Sequence, residues 1–167
     1  MPADPVSRQD LEALYREYGS LVLRRARSIL NNDAEAHDAM QEVFVRVITA
    51  ITEFRGLSQP STWLYRITTN LCLNRIRDSK RRRERLKEAG IARDAAVGST
   101  QAMPEWTAAL RKVLEQLPDE LGQVAVYYYV DEMDQDEIAA ILGVSRRTVG
   151  YRLDRFRKEA RALLQAA

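Results

Sequence analysis

The chain of 167 residues has little of what marks a secreted, metal-binding or membrane protein. It holds one cysteine, Cys72, so no intramolecular disulfide is possible and no cysteine-based zinc site can form. Cys72 lies inside an apolar helical pattern, which predicts a buried, inert thiol. The one histidine, His37, has no companion for metal binding or general-base work and is assigned no role. No apolar run approaches the length of a membrane span, and the opening MPADPVSRQD lacks the charged-then-apolar pattern of a secretory signal. A cytoplasmic protein without membrane insertion is therefore expected. There is no paired metal-binding carboxylate motif, no histidine–nucleophile constellation and no glycine-rich phosphate loop. That pattern predicts a protein that is not an enzyme and needs no cofactor. Net charge is only +2, so the chain as a whole is no polycation.

What is present is helix. Five prolines, seven glycines and three phenylalanines, set among long 3.6-residue periodicities, predict an all-α protein. Leu11, Leu14, Tyr15, Tyr18, Val22, Ala26 and Ile29 give one apolar face to a first helix over about 9–30, and Asn31, Asn32 and Asp33 stop it and cap the next. Met40, Val43, Phe44, Val47, Ile48 and Ile51 stripe a second helix over about 34–51. Gly56–Ser61 reads as a loop, and a third helix follows from about Thr62 to Arg83 or beyond, apolar at Leu64, Ile67 and Leu71. After Leu86 the stripe dissolves and Gly90, Gly98 and Pro104 mark a flexible linker. Helix resumes near Glu105 to Leu117, is punctuated by Pro118, and continues from Glu120 to about Val130. The expected organisation is two small helical domains, residues 8–85 and 105–167, joined by the linker 86–104.

The last third carries the clearest motif. Asp134 can cap a helix through Ile138, Ile141 and Leu142; Gly143 supplies the positive φ that ends it, and Ser145 can accept from the amides opening the next helix. Val149, Leu153, Phe156, Ala160 and Leu163 then recur at steps of four and three. The other face shows Arg147, Tyr151, Asp154 and Lys158, with Arg155 at its edge. This predicts a helix-turn-helix whose second helix enters a DNA major groove. Within Arg146–Arg161 seven basic residues stand against Asp154 and Glu159. Such an excess repels itself along a helix and becomes useful when phosphates neutralise it.

Charge is segregated elsewhere too. Arg75–Lys87 holds eight basic residues against Asp78 and Glu84, while Asp131–Glu137 holds five acids. On the third helix Trp63, Arg66, Asn70, Leu73 and Arg77 follow at steps of three and four. Aromatic planes stack on unpaired bases, amides read base edges and arginines pair with phosphates. A tryptophan at a helix start also suits the core, and the basic run Lys80–Arg83 tips the stripe toward nucleic acid. On the second helix Asp38, Gln41, Glu42, Val45 and Thr49 lie opposite the core stripe. By pattern alone this reads as an ordinary solvated face, with a docking patch for a basic protein surface as the alternative.

Three blocks together resemble an extracytoplasmic-function (ECF) RNA polymerase sigma factor of the sigma-70 family. DAEAHDAMQEVFVRV (Asp33–Val47) resembles the polymerase-binding helix, and FRGLSQPSTWLYRITTNLCLNRIR (Phe54–Arg77) the loop and helix that melt and read the minus-ten element. Leu117–Leu164 resembles the domain that reads the minus-thirty-five element. The resemblance implies polymerase docking by Asp38, Gln41, Glu42 and Val45, which reverses the bland reading of that face. It implies minus-ten contacts by Ser58, Trp63, Arg66, Asn70 and Arg77, with Ser58 and Asn70 at the pocket for a flipped base. It implies minus-thirty-five contacts by Arg147, Tyr151, Arg152, Asp154, Arg155 and Lys158. The implied partners are core RNA polymerase, promoter DNA and a separate anti-sigma protein; no metal or cofactor is implied. The start of the recognition helix departs from the family pattern: Arg147 replaces a common Gly, Gly150 a usual Lys or Arg, and Tyr151 a usual Ser. Leu57, Gln59 and Pro60 are not generic either, so the promoter sequence stays unassigned. The competing expectation is a stand-alone helix-turn-helix regulator, which would need an effector or phosphoacceptor domain near the N-terminus.

Overall fold

A computed structural model describes residues 8–50, 59–91 and 105–166, and these are helical with no strand among them. The chain divides into two compact units, 1–72 and 73–167, with the division inside one long helix.

In the first unit, α1 (Arg8–Leu30) and α2 (Asp33–Ala50) are joined by two asparagines. Asn31 takes φ 50° and donates its amide to the Arg27 carbonyl at 2.9 Å, which closes α1. The Asn32 side chain then accepts from the Glu35 amide at 3.0 Å and opens α2, where Asp33 and Glu35 complement the helix dipole. Arg27 also donates to Asp33, which holds that carboxyl below its ordinary range. Val22, Ala26 and Leu30 bury against α2, whose own Ala36, Ala39, Val43 and Val47 are inaccessible to water. Three alanines at this seam allow close helix approach. Ile48, expected in the stripe, is instead 43% exposed beside Val45 at 60%.

The third helix, α3 (Pro60–Glu88), starts earlier than its apolar pattern indicates. Gln59 accepts the first helical amide, from Trp63, and Pro60 takes the first helical position, where its missing N–H costs nothing. Thr68 and Thr69 are buried, and their hydroxyls donate back to the Leu64 and Tyr65 carbonyls at 2.7 Å. Arg25 is buried as well: it donates to Thr69 Oγ1 at 3.2 Å and its guanidinium lies 4.2 Å from the Tyr65 ring centroid. Cys72 is a buried free thiol, as its surroundings predict. The helix runs to Glu88 and closes on Gly90 at φ 71°, with the Ile91 amide bonding back to Leu86 and that of Gly90 to Lys87. The first residues of the expected linker are therefore helix and cap.

In the second unit, α4 (Glu105–Leu114) ends before Leu117 because the Gln116 amide turns back to Val113 ahead of Pro118. After α5 (Asp119–Ala125) comes a π-helical turn over Val126–Val130, in which the Asp131 amide reaches the Val126 carbonyl at 3.1 Å. The wider turn separates three consecutive tyrosines: Tyr127 is wholly buried, Tyr128 half-buried and Tyr129 exposed. Then come α6 (Gln135–Leu142) and α7 (Arg146–Gln165). Val113, Leu117, Leu121, Ala125 and Phe156 form one core cluster, flanked by Leu110, Ala160 and Leu163. Val149 and Leu153 of α7 are also fully buried, along with Ile138 of α6.

Candidate nucleic-acid and polymerase interfaces

The turn that aims α7 is built from short side chains. Asp134 accepts from the Asp136 and Glu137 amides at 2.9 Å, and Glu137 returns the bond by accepting from the Asp134 amide at 2.8 Å. This reciprocal capping satisfies donors that would otherwise be orphaned. Gly143 ends α6 at φ 67°, and Ser145 starts α7 by accepting from the Thr148 amide at 3.1 Å. Together these caps orient α7 with Val149, Leu153 and Phe156 inward.

The outward face of α7 then presents Arg147, Tyr151, Asp154 and Lys158 to solvent, with Arg152 and Arg155 half-exposed. Tyr151 is the most open, at 67%. Two of the expected readers have intramolecular partners. Asp154 accepts from Arg157 at 2.7 Å. Arg155 turns to Glu159 at 2.7 Å and lies 3.5 Å from Glu120, and the bond to Glu159 raises its pKa. Arg157, which sequence reading left outside the reading set, also donates to the Tyr129 hydroxyl at 3.1 Å. The only advance signal for this pair is the Asp154–Arg157 spacing of three; Tyr129 arrives through the fold.

Nothing in the structure requires a glycine at position 150. A Cβ at this position would meet only the Gln135 side-chain oxygen, at 3.4 Å. Gln135 is flexible enough to yield, so Gly150→Ala is expected to stabilise the second unit by about 0.5–1 kcal/mol through helix propensity. Urea denaturation would measure it, and a loss of stability would show that Gln135 cannot move aside.

On α2, Asp38, Gln41, Val45 and Thr49 are exposed and Glu42 is half-exposed, opposite buried Val43, Phe44 and Val47. Glu42 accepts from Arg46 at 2.6 Å, one turn along the same face. The result is a hydrophobic pair, Val45 and Ile48, within a rim of acid and amide.

On α3 the expected stripe does not share one level of exposure. Arg66 is open and Trp63 and Asn70 are half-buried, whereas Leu73 is buried in the second unit's packing. Arg77 donates to Asn74 and is ion-paired with Asp119; burial, then the nearby charge of Arg81, lowers its pKa. Ser58 and the loop residues Gly56 and Leu57 lie outside the described residues; Pro60 and Ser61, expected in that loop, are in the first turn of α3. Among the described residues no cluster of His, Cys, Asp and Glu could hold a metal ion, and no helix is long and apolar enough to cross a membrane.

Residues 14–82 match the model of sigma-70 region 2, and residues 107–159 match that of sigma-70 region 4. The chain is 32% identical to the ECF RNA polymerase sigma factor SigW of Bacillus subtilis, over 82% of this chain and 79% of SigW. It is 31% identical to the ECF RNA polymerase sigma factor SigE of Mycolicibacterium smegmatis, over 96% of this chain but only 64% of SigE. Among solved structures, CnrH in complex with the cytosolic domain of CnrY matches at TM-score 0.51 and 26% identity, over 96% of this chain and 90% of CnrH. The two region matches define a two-region sigma factor. The chain belongs to the ECF group of the sigma-70 family, a family of transcription initiation factors.

Proposed function

We propose that this chain docks on core RNA polymerase through Asp38, Gln41, Glu42 and Val45 of α2 and directs it to promoters in the cytoplasm, without catalysis of its own. Trp63, Arg66, Asn70 and Arg77 of α3, with Ser58 before it, serve strand separation and minus-ten recognition. Arg147, Tyr151, Arg152, Asp154, Arg155 and Lys158 of α7 serve the minus-thirty-five duplex. The observation that carries the reading is the conjunction, on one chain, of a capped α7 with an outward Arg147–Tyr151–Lys158 face and of α3 with Arg66 open beside half-buried Trp63 and Asn70. A stand-alone regulator would need only the former. CnrH has been solved with the cytosolic domain of CnrY, and the sigma factor RpoE of Bartonella quintana with the anti-sigma factor NepR, which supports a separate anti-sigma protein as a further partner here.

Co-purification with core polymerase separates this function from stand-alone DNA binding; failure to co-purify would refute it. Asn70→Ala is expected to weaken capture of a single-stranded minus-ten oligonucleotide by about 1–3 kcal/mol, the worth of one base-edge contact. Permanganate reactivity of the opened promoter should fall in parallel. Unchanged reactivity and footprint would remove Asn70 from the set of base readers.

A further inference from the structure

Asp154 is the one acid among the α7 residues assigned to the minus-thirty-five duplex, and the phosphates of that duplex repel it. It is useful there only where its charge is neutralised and its oxygens are fixed. Arg157 is placed to do both, since its Nη1 donates to Asp154 Oδ1 at 2.7 Å from one turn along the helix. Alone, such a pair is weak: the two side chains are 76% and 43% exposed, and the entropy of holding them offsets much of the attraction. Arg157 has a second anchor, however. Its Nε donates to the Tyr129 hydroxyl at 3.1 Å, and its guanidinium carbon lies 5.9 Å from the Tyr128 ring centroid. Tyr129 is held in turn, with its ring centroid 5.7 Å from that of Phe156 and 5.0 Å from that of Tyr128, the latter in an edge contact. The π-helical turn over Val126–Val130 supplies both tyrosines.

We propose that Tyr129 and Arg157 form a positioning clamp that fixes Asp154 as the reader of an amino-bearing base, cytosine or adenine, in the minus-thirty-five element. The proposal rests on the assignment of α7 to that duplex. A guanidinium is a rigid planar fork, so seating Nε on Tyr129 dictates where Nη1 stands and hence where the Asp154 carboxylate is held. A carboxylate has room for about four hydrogen bonds, so the bond to Arg157 leaves Asp154 able to accept another. In the major groove cytosine N4 and adenine N6 offer donors, whereas guanine and thymine present acceptors that a carboxylate rejects. Tyr129 and Arg157 act through Asp154, so both are positioning residues whose effect is confined to one base pair.

The test uses the full chain assembled with core polymerase, selecting from promoters randomised in the minus-thirty-five element. Asp154→Ala identifies the base pair concerned, where preference for an amino-bearing base should fall by about tenfold. Tyr129→Phe keeps the ring and every charge, and should lower preference at that same base pair by about threefold. Arg157→Lys keeps the charge without the fork and should lower it at least as far. The salt dependence of binding should be unchanged in Tyr129→Phe, because no phosphate contact is lost. Adding Tyr129→Phe to Asp154→Ala should cost no further preference, since both act on one contact. Full preference in Tyr129→Phe and Arg157→Lys, beside a loss in Asp154→Ala, would overturn the clamp. A Tyr129→Phe loss that adds to that of Asp154→Ala would overturn it as well. Unchanged preference in Asp154→Ala would overturn the reader and the clamp with it, and no minus-thirty-five preference in wild type would place the failure in the assignment of α7 itself.

Discussion

Glu42→Lys is expected to reduce capture of core RNA polymerase by more than tenfold while leaving the fold intact. Glu42 stands half-exposed on α2 beside the apolar pair Val45 and Ile48, and its carboxylate is held by Arg46 at 2.6 Å. Reversal places two cations one turn apart, which costs an exposed helix only about 0.2–0.5 kcal/mol. The same reversal removes an acid from the docking face and presents a like charge to a basic partner. Removing one member of a charge pair that binding buries costs about 2–5 kcal/mol, mostly in the dissociation rate. Asp38→Ala should act in the same direction with a smaller effect, because it deletes a charge without reversing it. A pull-down with core polymerase, paired with a thermal melt of each variant, measures both halves of the expectation. Full capture by the Lys variant would take α2 out of the docking surface.

Replacing Arg147 and Arg152 together by alanine is expected to weaken every promoter alike and to flatten the salt dependence of binding. Every phosphate that α7 no longer neutralises should reduce the slope of log affinity against log salt by about 0.9. Arg147 is exposed and Arg152 half-exposed, and both belong to the first two turns of α7, which Ser145 opens with its capped amides. Tyr151 presents a ring that is 67% exposed on the same face, and it can reach base edges. Tyr151→Ser should therefore change the preferred minus-thirty-five sequence more than it changes mean affinity. Selection from a randomised minus-thirty-five element with both proteins would decide, and identical preferred sequences would place specificity elsewhere on α7. The engagement of Arg155 by Glu159 means that this side chain must exchange partners before it reads a base.

Local chemistry is where sequence reasoning reaches furthest in this chain. The caps at Asn32, Asp134, Gly143 and Ser145 each depend on residues within four positions, so their identities and order already contain the geometry. The same holds for the inward row Val149, Leu153 and Phe156, since helical period alone places these on one side. Family resemblance, carried by three blocks in one order, supplied the function class.

Other features depend on contacts distant in sequence, and no local pattern contains them. Arg25 reads as one more exposed cation until α3 delivers Thr69 and Tyr65 to it, 44 and 40 positions away. Leu73 has the spacing of a nucleic-acid stripe, but the glycine at 122 lets α5 come close enough to bury it. Arg77 and Arg83 look like free members of a basic run, whereas carboxylates beyond the linker neutralise both. Period and capping are properties of a single helix and so belong to the sequence by itself. Which charge is screened, and which apolar residue is covered, is settled only when another helix arrives, because both depend on the excluded water between the two surfaces.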